Sequence, residues 1–178
     1  MQPDQFMRNP QKLLRNRQNR GGNMGWIGIM TAVFLADLLV KDQAEKHLSD
    51  KAVREVAGDK ILLRKLHNKG MACNLGEKKP ELVKVGTFTL WTVLFAGYLR
   101  FLKKPGKKAV KLGGALALGG GLSNLTDRMT KGYVTDYFSL NVKWDRLRRL
   151  VFNISDFCIL IGTMVAAIAC CVKKKNTL

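Results

Sequence analysis

"LVFNISDFCILIGTMVAAIACCV", residues 150–172, decides what kind of protein this is. Its 23 residues exceed the roughly 20 that a helix needs to cross the hydrocarbon core of a bilayer. Asn153 and Asp156 nevertheless stand in its first turns. A carboxylate at membrane depth is costly and by default marks a pore, a relay or a reaction centre whose partners come from other segments.

Three further apolar stretches accompany it, at 24–40, 85–102 and 109–126. Charged residues make up 25% of the chain, which hides these stretches in any average over its 178 residues. "VGTFTLWTVLFAGYLRFL" (85–102) has Lys84 before it and Arg100 near its end, where long stems reach back to the interface. "MGWIGIMTAVFLADLLV" (24–40) becomes a full span only by taking in Lys41 and Asp42. It follows a polar segment of 23 residues and so reads as an uncleaved anchor rather than a signal peptide. "AVKLGGALALGGGLSNLT" (109–126) is the least hydrophobic, because glycine supplies so much of it. The expected fold is an all-α integral membrane protein with four transmembrane helices. They fall at about 24–43, 83–102, 109–127 and 150–172, between a basic cytoplasmic tail (1–23) and a short one (173–178).

Charge orients the bundle. Of the 31 Lys and Arg residues, 14 fall within the 38 residues of 1–23, 100–111 and 173–175, and 17 within the 68 residues of 41–84 and 127–150. Since Lys and Arg concentrate in cytoplasmic segments, both termini are expected there. The net charge of +18 also raises nucleic acid as a partner, but "RNPQKLLRNRQNR" comes with no recognition motif. A solvated, disordered tail touching lipid headgroups is the better reading, and no nucleic acid is expected.

Other chemistries fail on spacing. "GGALALGGG" lacks the Gly-Lys-Ser/Thr ending of a phosphate loop. Its Gly113, Ala117 and Gly121 recur every four residues, as in a helix that a neighbour approaches closely. Cys73, Cys158, Cys170 and Cys171 form no Cys-x-x-Cys pair, and His47 and His67 are isolated, so no metal site is expected. No serine or cysteine joins a histidine as a recognisable nucleophile.

What remains is polar and lies toward the outer face. In "GGLSNLTDRMTKGYVTDYFSL" (120–140), Asn124 and Arg128 share a helix face, and Asp136 follows a turn at Gly132 in a short extended piece. Asn153 and Asp156, three apart, share another face. With the third and fourth helices adjacent, Asp136 and Asp156 can meet at the membrane surface. Two carboxylates in contact share a proton and titrate as a pair, which suits hydrolysis of a peptide bond without metal or covalent intermediate. The same aspartates also read as ion-pair partners of Arg128 or as helix caps.

"SNLTDR", "GYVTDYF" and "VFNISD", in that order, resemble the lipoprotein signal peptidases, or type II signal peptidases, four-span bacterial aspartyl proteases. "DQAEK" (42–46) resembles the family's Asp-Gln-x-x-Lys, and "LHNKGMACNL" (66–75) its Asn-x-Gly-Ala-Ala-Phe segment, so the likeness runs from about 25 to 172. The resemblance implies that Asp136 and Asp156 are the catalytic dyad and that Asn124, Arg128 and Asn153 shape and support the site. It implies accessory positions nearby for Asp42, Asn68 and Gly70. Residues 44–81 would form an extracytoplasmic platform with a short helix and small β-strands. The implied substrate is a prolipoprotein whose cysteine carries a diacylglyceryl group, cut just before that cysteine. The implied setting is the bacterial cytoplasmic membrane, with lipids and substrate as partners, no cofactor, and a monomer as the working expectation.

Met71 and Cys73 depart from the family's Ala and Phe, Ser155 stands where Ala is usual, and "KWDRLRRL" (143–150) is unusually basic. Asp37 is an extra acid, expected to bond a neighbouring helix. Two other functions fit the polar residues: a catalytically silent relative that binds lipidated peptides, and a small helical channel.

Overall fold

The computed structural model describes residues 10–49, 53–71 and 75–174, with side chains from 22 to 172 within those limits. Four long helices dominate: α1 (Pro10–His47), α2 (Pro80–Leu102), α3 (Lys108–Thr130) and α5 (Ile154–Lys174). A three-stranded sheet, β1 (Arg54–Val56), β2 (Ile61–Asn68) and β3 (Val134–Leu140), and a one-turn helix α4 (Asp145–Arg148) complete the elements of the described residues.

Helix α3 is the centre, packed against α1, α2 and α5. Glycine makes this possible. A Cβ on Gly113 would lie 2.4 Å from the carbonyl oxygen of Gly162 on α5, and one on Gly162 would lie 2.5 Å from that of Gly113. The two backbones therefore touch, a spacing only small residues permit. The stripe read from the sequence does not serve a single neighbour, because Gly121 instead faces the Trp91 ring of α2.

Among the described residues, three helices are long and apolar enough to cross a membrane: Gly22–His47 within α1, Pro80–Leu102, and Ile154–Val172 within α5. Helix α3 falls below that apolarity for a physical reason. Ten of its residues are buried inside the protein, where they meet helices rather than lipid. The outer faces carry the hydrophobicity instead, with Leu39, Leu90, Val93, Ile161 and Ile168 exposed. Asp37, Lys41, Asp127 and Asn153 are buried. Apolar outside and polar inside is the distribution a bilayer solvent favours.

Local chemistry sets the helix ends. Pro80 opens α2, where its missing N–H is no loss. At the other end the Lys111 ammonium donates to the Leu102 carbonyl at 2.9 Å, closing α2 beside the 103–107 turn. Sheet order is β1-β2-β3, antiparallel throughout, with Asn68 opposite Val134 and Leu66 opposite Asp136. Phe152 then pairs with Phe138 through N–H to O contacts of 2.7 and 3.1 Å, tying the start of α5 to β3.

Several boundaries differ from expectation. Helix α1 begins at Pro10, so the basic tail is helical from that point rather than disordered, and residues 1–9 lie outside the described part. Residues 150–153 are not helical, because Phe152 is held by the β3 edge. The short helix lies at 145–148, outside the 44–81 platform, which contributes two strands to a sheet completed by β3.

Candidate active site

The site is assembled where β3, α3 and α5 meet. Asn153 immediately precedes α5, and its side-chain oxygen accepts the Asp156 N–H at 3.0 Å while the Asp156 carboxylate accepts the Asn153 N–H at 3.1 Å. This reciprocal cap satisfies backbone donors that the first turn would otherwise strand. The amide of Asn153 then reaches across to Asp136, donating to Oδ1 at 2.6 Å. One asparagine thus bridges the two aspartates.

Each carboxylate has one more amide partner. Asn68 Nδ2 donates to Asp136 Oδ2 at 3.2 Å, and Asn124 Nδ2 donates to Asp156 Oδ1 at 3.0 Å. Asn68 Oδ1 in turn accepts the Gly70 N–H at 2.9 Å, and Arg128 Nη2 donates to the Gly70 carbonyl at 2.8 Å. Arg128 therefore holds the 68–70 segment over the site, while its Nε–H is buried with no partner among the described residues. Burial, reinforced by the negative charge of Asp156, pushes the Asp136 carboxyl up to about 7.

A buried network supports this arrangement from below. Lys41 Nζ lies 2.8 Å from Asp37 and 3.4 Å from Asp127, and donates to Ser123 Oγ at 3.1 Å and Asn124 Oδ1 at 2.7 Å. Since Lys41 occupies the Asn124 oxygen, the nitrogen of that amide must face Asp156. Asp37 also accepts from the hydroxyls of Ser123, Tyr137 and Ser155. Ser155, where the family usually has Ala, thus contributes an extra donor to Asp37, the acid expected to bond a neighbouring helix.

Asp136 and Asp156 open onto a cavity of about 910 Å³ bounded by α2, α3 and α5. Below the carboxylates its walls are almost entirely apolar or glycine, including Trp91, Leu94, Gly113 and Ile159. Leu90, Val93 and Leu160 on its rim are each more than half exposed, so it opens sideways toward the apolar outer face. Met71 lies at the mouth beside Asn68 and Arg128. Cys73 lies outside the described residues.

Six of the residues singled out in the sequence converge directly: Asp136, Asp156, Asn124, Asn153, Asn68 and Arg128, with Gly70 linked through Asn68 and Arg128. Asp42 does not join them. It is an exposed residue paired with Lys46 at 2.6 Å, because it faces away from the bundle, one residue beyond the inward Lys41. The inward acid–lysine pair is Asp37 and Lys41, also four apart. Sequence reading missed Lys41, Asp127 and Tyr137 as contributors. The signal was available in "ADLLVK", an i, i+4 ion pair inside an apolar run.

Comparison with known proteins identifies the family. The family model described as Signal peptidase (SPase) II matches residues 29–172. A lipoprotein signal peptidase of Caldicellulosiruptor bescii is 34% identical over 140 residues, covering 79% of this chain and 85% of that protein. One from Pseudomonas aeruginosa is 28% identical over 168 residues, covering 89% and 94%. The fold is shared with two solved bacterial membrane enzymes. One has a TM-score of 0.75 at 21% identity, covering 86% of this chain and 92% of that one. The other has a TM-score of 0.68 at 23% identity, covering 82% and 91%. By the extent of the family match and the identity to these relatives, the chain belongs to the signal peptidase II family.

Proposed function

We propose that this protein is a membrane aspartyl endopeptidase that cleaves prolipoproteins just before a diacylglyceryl-modified cysteine, with Asp136 and Asp156 as its dyad. One observation carries the reading: two carboxylates bridged by Asn153 stand at the polar end of an apolar cavity. Acyl chains lying in that cavity would hold the scissile bond at the dyad, so that binding energy away from the reacting atoms orients the attack.

The roles divide by environment. Asp156 lies in the first turn of α5, where the helix N-terminus favours a negative charge, and accepts a backbone N–H and an oriented amide. Asp136, displaced upward to about 7, still holds its proton in about half of the molecules at neutrality and in more of them below it. Asp156 removes a proton from water as the oxygen attacks the carbonyl carbon, and Asp136 donates its proton to the carbonyl oxygen, giving a neutral gem-diol. On collapse, Asp156 passes its proton to the departing nitrogen and Asp136 recovers one from a gem-diol hydroxyl. The C–N bond breaks, and both carboxyl groups return to their starting states.

Four spans, cytoplasmic termini and a site near the outer face of the bacterial membrane belong to the same reading. A connection of five residues, 103–107, joins α2 to α3, which lies alongside it, and this supports counting α3 as a crossing. The denser Lys and Arg of the termini and of that turn support the orientation.

The test is cleavage of a diacylglyceryl-modified precursor by the reconstituted protein. Asp136→Asn and Asp156→Asn should each lower turnover by about 10³-fold or more, leaving precursor binding intact. Full cleavage by either variant overturns the dyad. Binding without turnover by the unaltered chain would establish the silent relative instead.

A further inference from the structure

The segment between β3 and α5 carries chemistry that the proposed reaction does not use. Within 141–150 stand Lys143, Arg146, Arg148 and Arg149, all exposed, against the single acid Asp145. No salt bridge joins any of these four cations to an acid among the described residues. Trp144, in their midst, is 66% exposed. An indole and four cations left to the surface are an unusual pair of features for a soluble loop.

The segment is also held in place. Arg64 Nη2, from β2, donates to the carbonyls of Arg148 and Arg149 at 2.9 and 2.8 Å. At its other end the Asn141 N–H and side-chain amide reach Lys60 and Asp59 carbonyls at 2.9 and 2.7 Å. Both ends are thus pinned to the sheet, and the charges are presented by a fixed frame. Helix α5 begins at Ile154, five residues after Arg149, so the segment lies at the level where a crossing helix leaves the apolar layer.

We infer that residues 143–149 form a docking surface for the anionic phospholipid headgroups of the outer leaflet, with Trp144 seated at the interface and the four cations against lipid phosphates. Charge complementarity selects this occupant, and an aromatic anchor beside basic residues is how protein surfaces settle at that depth. The inference rests on α5 being a membrane crossing. It assigns this segment a task separate from bond cleavage: holding the β-sheet platform against the bilayer, with the cavity mouth at headgroup height.

The full chain is reconstituted in phosphatidylcholine vesicles containing phosphatidylglycerol, with brominated chains on one lipid or the other. The Trp144 signal is the difference between the wild-type chain and W144F, which leaves Trp26 and Trp91 in place. Brominated phosphatidylglycerol should quench it roughly threefold more than brominated phosphatidylcholine at equal mole fraction, a preference that fades at high salt. The variant K143Q/R146Q/R148Q/R149Q should lose the preference while cleaving lipidated precursor in detergent as wild type does. Equal quenching by both lipids overturns the inference, as does selective quenching that survives in the charge-neutral variant. An absence of quenching in vesicles that float with the protein also overturns it, and points to an acidic protein surface as the partner. Precursor cleavage in the same vesicles reports separately on the proposed reaction.

Discussion

Replacing Lys41 with Met tests whether the buried network holds the site together. Lys41 is fully buried and contacts two carboxylates, a hydroxyl and an amide. Met fills similar space and removes only the charge and its donors. Asp127 would keep Lys131 at 2.8 Å and the Thr135 N–H at 3.0 Å. Asp37 would keep hydroxyls and the Ser155 N–H, but no cation. Breaking a buried ion pair by removing one partner costs about 3–5 kcal/mol, chiefly from the charge left behind. For a chain of this size, that corresponds to a fall in Tm of about 6–20 °C. Thermal unfolding in detergent, followed by near-ultraviolet circular dichroism, measures it. The double variant D37N/K41M removes both charges and should recover at least about half of the lost stability. Cleavage should stay low in both variants, because Asn124 has lost the donor that aims its amide at Asp156. A K41M Tm within about 2 °C of wild type, with cleavage unchanged, would refute the assigned role.

The remaining expectations are narrower. Asp136 sits at about 7 in the folded protein against 3.8 ordinarily, so the native state holds a proton that the unfolded chain has released between those values. Stability from this group is full below about 4 and declines as pH rises toward 7, and Asp136→Asn should abolish that slope in pH-dependent unfolding. Precursor cleavage should fall above about pH 7 as Asp136 loses the proton it donates, so a rate that keeps rising to pH 9 would contradict the division of roles. Asn153→Ala should lower Tm by the few degrees expected for a lost cap of about 1 kcal/mol, yet lower kcat by roughly a hundredfold, which a purely structural residue would not do. Gly162→Ala drives a methyl toward the Gly113 carbonyl and should destabilise by about 1–3 kcal/mol in the same unfolding measurement.

Much of this was legible in the chain because the membrane imposes simple rules. Runs of apolar residues long enough to cross could be read directly, and polar residues inside them were suspect for that reason alone. Chemistry and spacing allowed Asp136 and Asp156 to meet, the resemblance singled them out as a dyad, and all but the first residue of the short extended "YVTDYF" lies within β3. Helix α3 was harder to read as a span, since a helix wrapped by other helices needs packing surface more than hydrophobicity. Lys41 and Asp42 show where periodicity alone ran out. Adjacent in sequence, with an acid–lysine spacing of four on either side, they face opposite ways, and only the position of α3 decides which pair is buried. The resemblance drew attention to "DQAEK", whereas the residue that reaches the site is Lys41 just before it.

The reciprocal cap between Asn153 and Asp156 has a consequence for how such a protease comes into being. On the proposed reading, the contacts that cap helix α5 are also the contacts that set the reacting groups, so the centre is not armed until this helix has formed and packed. Until then Asp156 has neither its cap nor its amide partner on α3. The order of assembly itself then restrains the proposed centre.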